Sequence, residues 1–193
     1  MRTVFFDVDT QMDFLYPAGA LSVPGAASVE QAVGTLNRFA ASRGWPVIST
    51  VDAHAENDIE FREWPAHCVT GTLGQRKPCS TLLEKRVVVP NAPGDLHLEG
   101  VGQVLLEKQT FSCFSNVRLP ELLRHFDAER YVVYGVVTEI CVQFAAMGLL
   151  ETGRRVEVVT DAVKALDAAK RDAFYAALAA KGGVLTTMGE LGA

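Results

Sequence analysis

The sequence has no closely spaced pair of cysteines, no long apolar run and no cluster of basic residues. Its four cysteines lie far apart, at positions 68, 79, 113 and 141, and none belongs to a C-x-x-C pair. Such spacing is typical of reduced thiols in a cytoplasm rather than of a disulfide framework. We therefore expect free cysteines and a cytoplasmic protein.

The other absences limit the partners. No apolar run approaches the roughly 20 residues that a membrane helix needs. The N-terminal stretch MRTVFFDVD carries acids at positions 7 and 9 and lacks a small-residue cleavage site, which predicts no signal peptide. The net charge of −5 comes without a basic stretch, so we expect neither a nucleic-acid partner nor a membrane partner.

Apolar residues, in contrast, are abundant. Hydrophobic residues make up 49% of the 193 positions, which is enough for a folded domain with a large core. No repeat, low-complexity tract or linker divides the chain. We therefore expect a single domain over residues 1–193.

Short β-branched runs alternate with helical patterns along the chain. They predict seven strands, at 3–8, 46–51, 86–89, 103–107, 130–134, 156–160 and 184–187. They also predict four helices, at 28–42, 119–126, 139–151 and 168–181. Asp167 is predicted to cap the last helix, and Gly153 and Gly182 are predicted to end helices. The alternation predicts a three-layer α/β/α fold with a mostly parallel central sheet.

Ionisable side chains follow four of the predicted strands: Asp9, Asp52, Lys108 and Cys141. Ligands of open α/β sheets bind at the carboxyl ends of strands. Cys141 lies in the first turn of a helical pattern that begins near Glu139, where unpaired N–H groups and the helix dipole lower a thiol pKa. A buried structural cysteine is the alternative interpretation. An acid, a lysine and a cysteine can form a thiol hydrolase in which the thiolate attacks an acyl carbon.

A second group of residues has the types that bind metals. Asp52 and His54 stand at i and i+2, on one side of an extended segment, and His67 follows in the sequence WPAHC. Two histidines and a carboxylate are a common set for catalytic zinc or iron, and a chance surface pairing is the alternative. Three nearby acids are candidates to complete the site: Asp58, Glu60 and Glu63.

Four motifs, in this order, resemble the nicotinamidase branch of the isochorismatase-like cysteine hydrolases. The stretch DTQMDF at 9–14 is similar to the family's D-x-Q-x-D-F opening. The stretches DAHAEN at 52–57 and WPAHC at 64–68 are similar to the metal-binding part of nicotinamidases. Lys108 occupies the position of the family lysine, and GVVTEICV at 135–142 is similar to the nucleophile segment. The resemblance covers nearly the whole chain.

The resemblance implies an amide hydrolase with the catalytic triad Asp9, Lys108 and Cys141. Its substrate would be nicotinamide or another small amide. The resemblance also implies a cis peptide between Val136 and Val137, with the backbone N–H groups of Val137 and Cys141 as the oxyanion hole.

A divalent metal is implied as well, zinc first, with iron or manganese as alternatives. The residues that would hold it are Asp52, His54 and His67. Phe14 and Trp64 would flank the substrate ring, and the family implies a homo-oligomer.

Two departures from the nicotinamidase pattern concern the substrate and the metal. Asp58 stands where nicotinamidases often carry a histidine, which leaves the full ligand set open. The segment after Lys108 is short, and because it lines the pocket in the family, a different small amide is an alternative substrate.

Two other functions fit the sequence less well. The Asp7-Val8-Asp9 stretch resembles the opening of haloacid-dehalogenase-type phosphatases, but Thr10 stands one place too early for that pattern. A binding module that retained the fold is disfavoured because all three triad types are present. Asp7 is predicted to have a structural partner and, from its position near Asp9, to influence the pKa of Asp9.

Overall fold

The computed structural model describes the whole chain, residues 1–193. Its seven strands are β1 (Thr3–Val8), β2 (Val47–Asp52), β3 (Arg86–Val89), β4 (Gln103–Lys108), β5 (Arg130–Val136), β6 (Arg155–Lys164) and β7 (Val184–Thr186). They form one sheet in the order β3-β4-β2-β1-β5-β6-β7. Every neighbouring pair is parallel, so the sheet is entirely parallel where the sequence predicted a mostly parallel one.

Six helices accompany the sheet: α1 (Met12–Leu15), α2 (Glu30–Ser42), α3 (Leu119–Phe126), α4 (Gln143–Glu151), α5 (Ala168–Ala180) and α6 (Met188–Leu191). The largest apolar cluster joins one sheet face to α3, α4 and α5, and a second cluster joins the other face to α2 and α6. This arrangement confirms the predicted three-layer α/β/α fold. No helix is both long enough and apolar enough to cross a bilayer.

All seven strands and the four longer helices were predicted, and the short helices α1 and α6 were not. Asp167 caps α5 as predicted, because its Oδ1 accepts hydrogen bonds from the N–H groups of Ala169 and Lys170. Gly153 and Gly182 follow α4 and α5 with φ of +74° and +86°. Both helices therefore end at the predicted glycines.

The segment between β5 and α4 differs from the prediction. The sequence predicted a helix from residue 139, but residues Thr138–Val142 form a π-helical turn and α4 begins only at Gln143. The N–H of Val142 donates to the carbonyl of Val137 over 3.1 Å, an i→i−5 bond. The peptide between Val136 and Val137 is cis, as the family resemblance implied.

Gly135 allows this segment to lie against the end of β1. Its φ is +118°, and a Cβ at this position would lie 2.1 Å from the carbonyl oxygen of Val8. Val8 and Gly135 are register partners in the β1–β5 pair. The absence of a side chain at Gly135 therefore brings the turn that carries Cys141 next to the residues that follow β1.

The strand order places the candidate site. The chain continues from β1 to β2 on one side and returns to β5 on the other, so the carboxyl ends of β1, β2, β4 and β5 lie at one edge of the sheet. A reversal of strand order next to β1 leaves a crevice at that edge, which is where open α/β sheets bind ligands.

Candidate active site

Asp9 and Lys108 form a buried ion pair at the carboxyl edge of the sheet. Asp9 directly follows β1, with a left-handed φ of +50° that a non-glycine residue rarely adopts. Its Oδ1 accepts a hydrogen bond of 2.6 Å from the Thr50 hydroxyl, and its Oδ2 lies 2.8 Å from Lys108 Nζ. Lys108 is the last residue of β4 and is only 1% exposed.

Cys141 completes this group from the π-helical turn. Its Sγ lies 3.9 Å from Lys108 Nζ, and the residue is buried but reaches a cavity wall. The structure therefore brings together the three residues that the sequence predicted as a triad, Asp9, Lys108 and Cys141.

The pKa of the Cys141 thiol shifts in the opposite direction to the one that the sequence predicted. Burial raises the pKa of the Cys141 thiol well above its ordinary value, against the opposing effect of Lys108. Burial also raises the pKa of Asp9, again opposed by Lys108. The pKa of Lys108 is raised despite its burial, because Asp52 and Asp9 hold the ammonium charged. The expectation of a lowered thiol pKa was wrong, and formation of a thiolate at Cys141 would require a base that takes its proton.

Asp52, at the end of β2, connects this group to the predicted metal ligands. Its Oδ1 contacts Lys108 Nζ, while its Oδ2 lies 3.9 Å from His54 Nε2 and 3.8 Å from His67 Nε2. One ligand atom from each of Asp52, His54 and His67 falls within 4.8 Å of the others. All three residues are buried.

The histidines fit a divalent metal. The His54 ring is fully buried and neither nitrogen has a hydrogen-bond partner, which is costly unless another ligand is present. His67 Nδ1 lies 2.8 Å from the carbonyl oxygen of Pro65, so its N–H there donates and Nε2 keeps a free lone pair. Asp58 Oδ2 lies 3.0 Å from His54 Nδ1, without hydrogen-bond geometry, in the position of an outer-shell carboxylate.

The three additional acids fall in different places. Asp58 lies at Nδ1 of His54 rather than among the Nε2 atoms, and its Oδ1 accepts from the N–H of Glu60 over 3.0 Å. Glu60 Oε1 lies 4.0 Å from His67 Nε2 and the residue lines the cavity. Glu63 is exposed and lies outside the group. Of the three, Glu60 is the one that faces the metal ligands.

Gln11 supports Asp52, a role that sequence reasoning missed. Its Nε2 donates to the backbone carbonyl of Asp52 over 2.8 Å, and its Oε1 accepts from the N–H of Asp52 over 2.7 Å. The side chain is fully buried. Gln11 lies within the DTQMDF stretch, so the motif contained the signal, but only the structure shows its partner.

Asp7 has the structural partner that was predicted. Lys77 Nζ lies 2.9 Å from its Oδ2, and the hydroxyls of Ser49 and Thr10 and the amide of Asn37 also donate to its carboxylate. Burial raises the pKa of Asp9, and the principal charges that shift it are those of Lys108 and Asp52. An influence of Asp7 on the pKa of Asp9 stays a prediction.

A small cavity opens beside Cys141, with a volume of about 130 Å³. For comparison, an apolar cavity of ~150 Å³ binds one benzene molecule. Its polar lining includes Asp52, His67 and Glu60, and its apolar lining is Phe14, Leu21, Val23, Trp64, Phe111, Val137, Ile140 and Leu166. The cavity thus has room for one small ring.

Phe14 and Trp64, which the resemblance implied as flanks of the substrate ring, both line the cavity. Phe111 and Leu166 also line it and were not predicted. The ring of Trp64 meets that of Phe111 edge to face, with centroids 6.2 Å apart. The N–H of Val137, at the cavity wall, donates to no group of the protein, which leaves it free to bind a ligand oxygen.

The parallel α/β fold and the acid–lysine–cysteine group at its carboxyl edge together define a cysteine-hydrolase type of protein. The profile of the isochorismatase family (Isochorismatase domain) matches residues 3–190. The chain therefore belongs to the isochorismatase family and is a nicotinamidase-like member of it. Membership of this family excludes the phosphatase alternative. In addition, Asp7, the first acid of the phosphatase-like stretch, is buried and paired with Lys77.

Three relatives cover almost the whole chain. The nicotinamidase of Escherichia coli K12 is 26% identical, over 95% of this chain and 93% of its own. The zinc-bound pyrazinamidase of Pyrococcus horikoshii is 28% identical, with a TM-score of 0.82, over 97% of this chain and 99% of its own. PnC1 of L. infantum, solved with nicotinate, is 27% identical, with a TM-score of 0.77, over 97% and 93%.

Proposed function

We propose that the protein is a nicotinamidase, a cysteine amidohydrolase that converts nicotinamide and water to nicotinate and ammonia. One observation carries the proposal: a cavity of about 130 Å³ has both the Cys141 thiol and metal-ligand side chains on its wall. A nucleophile and a group able to orient a ring nitrogen are thus available to one small heteroaromatic amide. The names of the E. coli nicotinamidase and of the nicotinate-bound PnC1 support this substrate class.

In the proposed mechanism, Asp9 takes the proton of the Cys141 thiol. The Lys108 ammonium, 3.9 Å from Sγ, stabilises the resulting thiolate. The thiolate attacks the carboxamide carbon, and the carbonyl oxygen becomes an oxyanion that accepts hydrogen bonds from the N–H groups of Val137 and Cys141. Asp9 then gives its proton to the leaving nitrogen, so ammonia departs and a thioester remains on Cys141.

Hydrolysis of the thioester reverses these roles. Asp9 takes a proton from water, the hydroxide attacks the thioester carbon, and the same N–H groups hold the oxyanion. The carbon–sulfur bond breaks, the carboxylic acid leaves and the proton returns to the Cys141 thiolate. One water is consumed and one ammonia released per turnover.

Asp52, His54 and His67 would hold a divalent metal, zinc first, with Glu60 as the proposed fourth protein ligand. A metal held by these residues would supply a Lewis acid for the ring nitrogen of the substrate and would thereby help to orient the carboxamide. Phe14 and Trp64 are proposed to flank the ring. A single domain over residues 1–193, a cytoplasmic location and a homo-oligomeric state stay predictions from the sequence.

Another small amide is the second candidate substrate. Phe111 lines the cavity and belongs to the short segment after Lys108. This ring limits the cavity where the sequence departs from typical nicotinamidases, which favours a test of other small amides beside nicotinamide.

The test measures ammonia release from nicotinamide by zinc-loaded protein, with Cys141→Ala as the matched control. We expect release from the parent protein and none above background from Cys141→Ala, because Cys141 is the only cysteine that lines the cavity and it lies beside both Asp9 and Lys108. Cysteine-dependent release from other amides but not from nicotinamide would keep the mechanism and replace the substrate. Release that persists without Cys141 would contradict the mechanism.

A further inference from the structure

Glu139 stands two residues before Cys141, in the π-helical turn, and the proposed mechanism does not use it. Its Oε1 accepts hydrogen bonds from the backbone N–H groups of Leu166, over 2.8 Å, and Asp167, over 2.7 Å. Its Oε2 is buried and has no partner. We name these two hydrogen bonds the Glu139 link. They join the nucleophile turn to the loop between β6 and α5.

That loop supplies one wall of the cavity. Leu166 lines the cavity together with Val137, Ile140 and Cys141. The residue is nevertheless 51% exposed. A large apolar side chain that is half exposed at a cavity mouth gains burial when a ring occupies the cavity, and burial of apolar area is favourable. Leu166 is therefore placed to contact a bound ring.

The position of Leu166 depends on Glu139. The bond to Glu139 is the only hydrogen bond that the backbone of Leu166 makes. The next residue, Asp167, uses its own side chain to cap α5 and so leaves its N–H to Glu139. Hydrogen bonds to a charged acceptor are among the stronger ones in proteins. One carboxylate thus fixes the wall relative to the nucleophile turn.

We propose that Glu139 is a positioning residue that holds Leu166 against the cavity, and that the link thereby sets which ring substituents the site accepts. The proposal rests on the proposed amide hydrolysis only for its substrate part. The ordering of the loop by Glu139 is independent of turnover.

The first experiment measures amide hydrogen exchange in Glu139→Ala and in Glu139→Gln. The glutamine keeps an oxygen acceptor at the same position, so it is the matched control. In Glu139→Ala we expect the amides of Leu166 and Asp167 to exchange about tenfold faster or more, since two bonds to a carboxylate are lost. In Glu139→Gln they should stay close to the parent protein. Unchanged exchange in Glu139→Ala would overturn the link.

The second experiment measures kcat and KM for nicotinamide and for a ring-methylated nicotinamide. Glu139→Ala should raise KM for nicotinamide with little change in kcat. It should also reduce the preference for the unsubstituted ring, because one methyl group changes kcat/KM by about tenfold or more in a pocket that fits the ring closely. Leu166→Ala should do the same. The double variant should resemble either single variant, because both changes remove one wall.

Three results would overturn the specificity role. A fall in kcat at constant KM would mean that Glu139 acts on the nucleophile. If Glu139→Gln raises KM and reduces the substrate preference as much as Glu139→Ala does, the effect comes from the lost charge rather than from the link. If the changes in KM of Glu139→Ala and Leu166→Ala multiply in the double variant, the two residues act independently, which contradicts the proposal. If the parent protein does not hydrolyse nicotinamide, the proposed function fails, and the exchange experiment still decides the link.

Discussion

At the scale of single residues, the Asp52 carboxylate serves two groups at once. Its Oδ1 contacts the Lys108 ammonium and its Oδ2 faces Nε2 of both His54 and His67. The Gln11 amide fixes its backbone on both sides. A change at the metal ligands therefore reaches the lysine beside the nucleophile through one side chain.

Removal of His54 tests the metal site. We expect His54→Ala to lower metal affinity by more than the ~10–100-fold that loss of an outer-shell partner costs. KM for the amide should rise at least as much as kcat falls, because the proposed role of the metal is mainly to orient the ring. Metal analysis of the purified protein together with steady-state kinetics checks both. The exposed His97 offers a matched His97→Ala control, and unchanged metal content in His54→Ala would disprove the assignment.

Residue types at strand ends indicated that an acid, a lysine and a cysteine act together, and the family resemblance implied that they are Asp9, Lys108 and Cys141. Neither predicted the protonation of the group. The direction of the Cys141 pKa shift could not be predicted from the sequence, because its largest cause is burial by distant parts of the chain. Phe111 and Leu166 escaped for a similar reason: an apolar residue that lines a cavity looks in the sequence like any other core residue.

At the scale of elements, the strands were the easiest part to predict, since buried parallel strands appear as continuous apolar runs. The start of α4 was harder. The apolar pattern from residue 139 is helical in period, and nothing in it distinguishes a π-helical turn from the first turn of an α-helix. That choice depends on contacts with β1 and with the β6–α5 loop.

Gly135 gives a test at this scale. Gly135→Ala would place a Cβ 2.1 Å from the carbonyl oxygen of Val8, at a φ of +118°, so β1 and β5 must separate. We expect a loss of stability of more than the ~1–2 kcal/mol that a left-handed backbone alone costs, together with loss of activity. Denaturant unfolding and an activity assay measure the two effects.

The control for this variant is Gly153→Ala. Gly153 also has a positive φ, of +74°, but has no atom within 4 Å of the added Cβ. Gly153→Ala should therefore reduce the free energy of unfolding only by the backbone cost of about 1–2 kcal/mol, and the variant should keep its activity. Equal stability of the two variants would show that the close approach to Val8 does not matter.

At the scale of the whole molecule, the Asp7–Lys77 pair joins the central strand β1 to the long irregular segment between β2 and β3. Both side chains are almost completely buried and lie 2.9 Å apart. Lys77→Met would leave the Asp7 carboxylate without its cation, and breaking a buried pair in this way costs about 3–5 kcal/mol. The free energy of unfolding in urea measures the loss.

A double variant separates the lost charge from lost packing. Asp7→Asn combined with Lys77→Met removes both charges, and we expect it to recover a large part of the stability that Lys77→Met loses. A Lys77→Met protein as stable as the parent would contradict the importance of the pair.

The acid stability of the molecule depends in part on Glu157, in β6. Burial alone would raise its pKa, but hydrogen bonds from Arg130 and Arg155, each at 2.5 Å, lower it overall. Because the folded pKa lies below the unfolded value of ~4.3, Glu157 stabilises the fold fully above that value and loses this contribution as the pH falls through its folded pKa.

Glu157→Gln should therefore lower the unfolding midpoint more at pH 7 than at pH 3. Thermal unfolding at several pH values measures this difference, and the exposed Glu56→Gln serves as the control. A midpoint lowered equally at both pH values would show that lost packing, rather than ionisation, explains the change.

The strand order also has a consequence for how the protein gains activity as it folds. The proposed metal-ligand residues all come from a short stretch, 52–67, whereas Cys141 reaches Asp9 only when β5 pairs with β1, more than a hundred residues away along the chain. Contacts of such long range form slowly, because the loop between them must close first. In a refolding or translation experiment, we expect metal binding to appear before turnover. The recovered turnover would then report only the molecules in which the inner strands have paired.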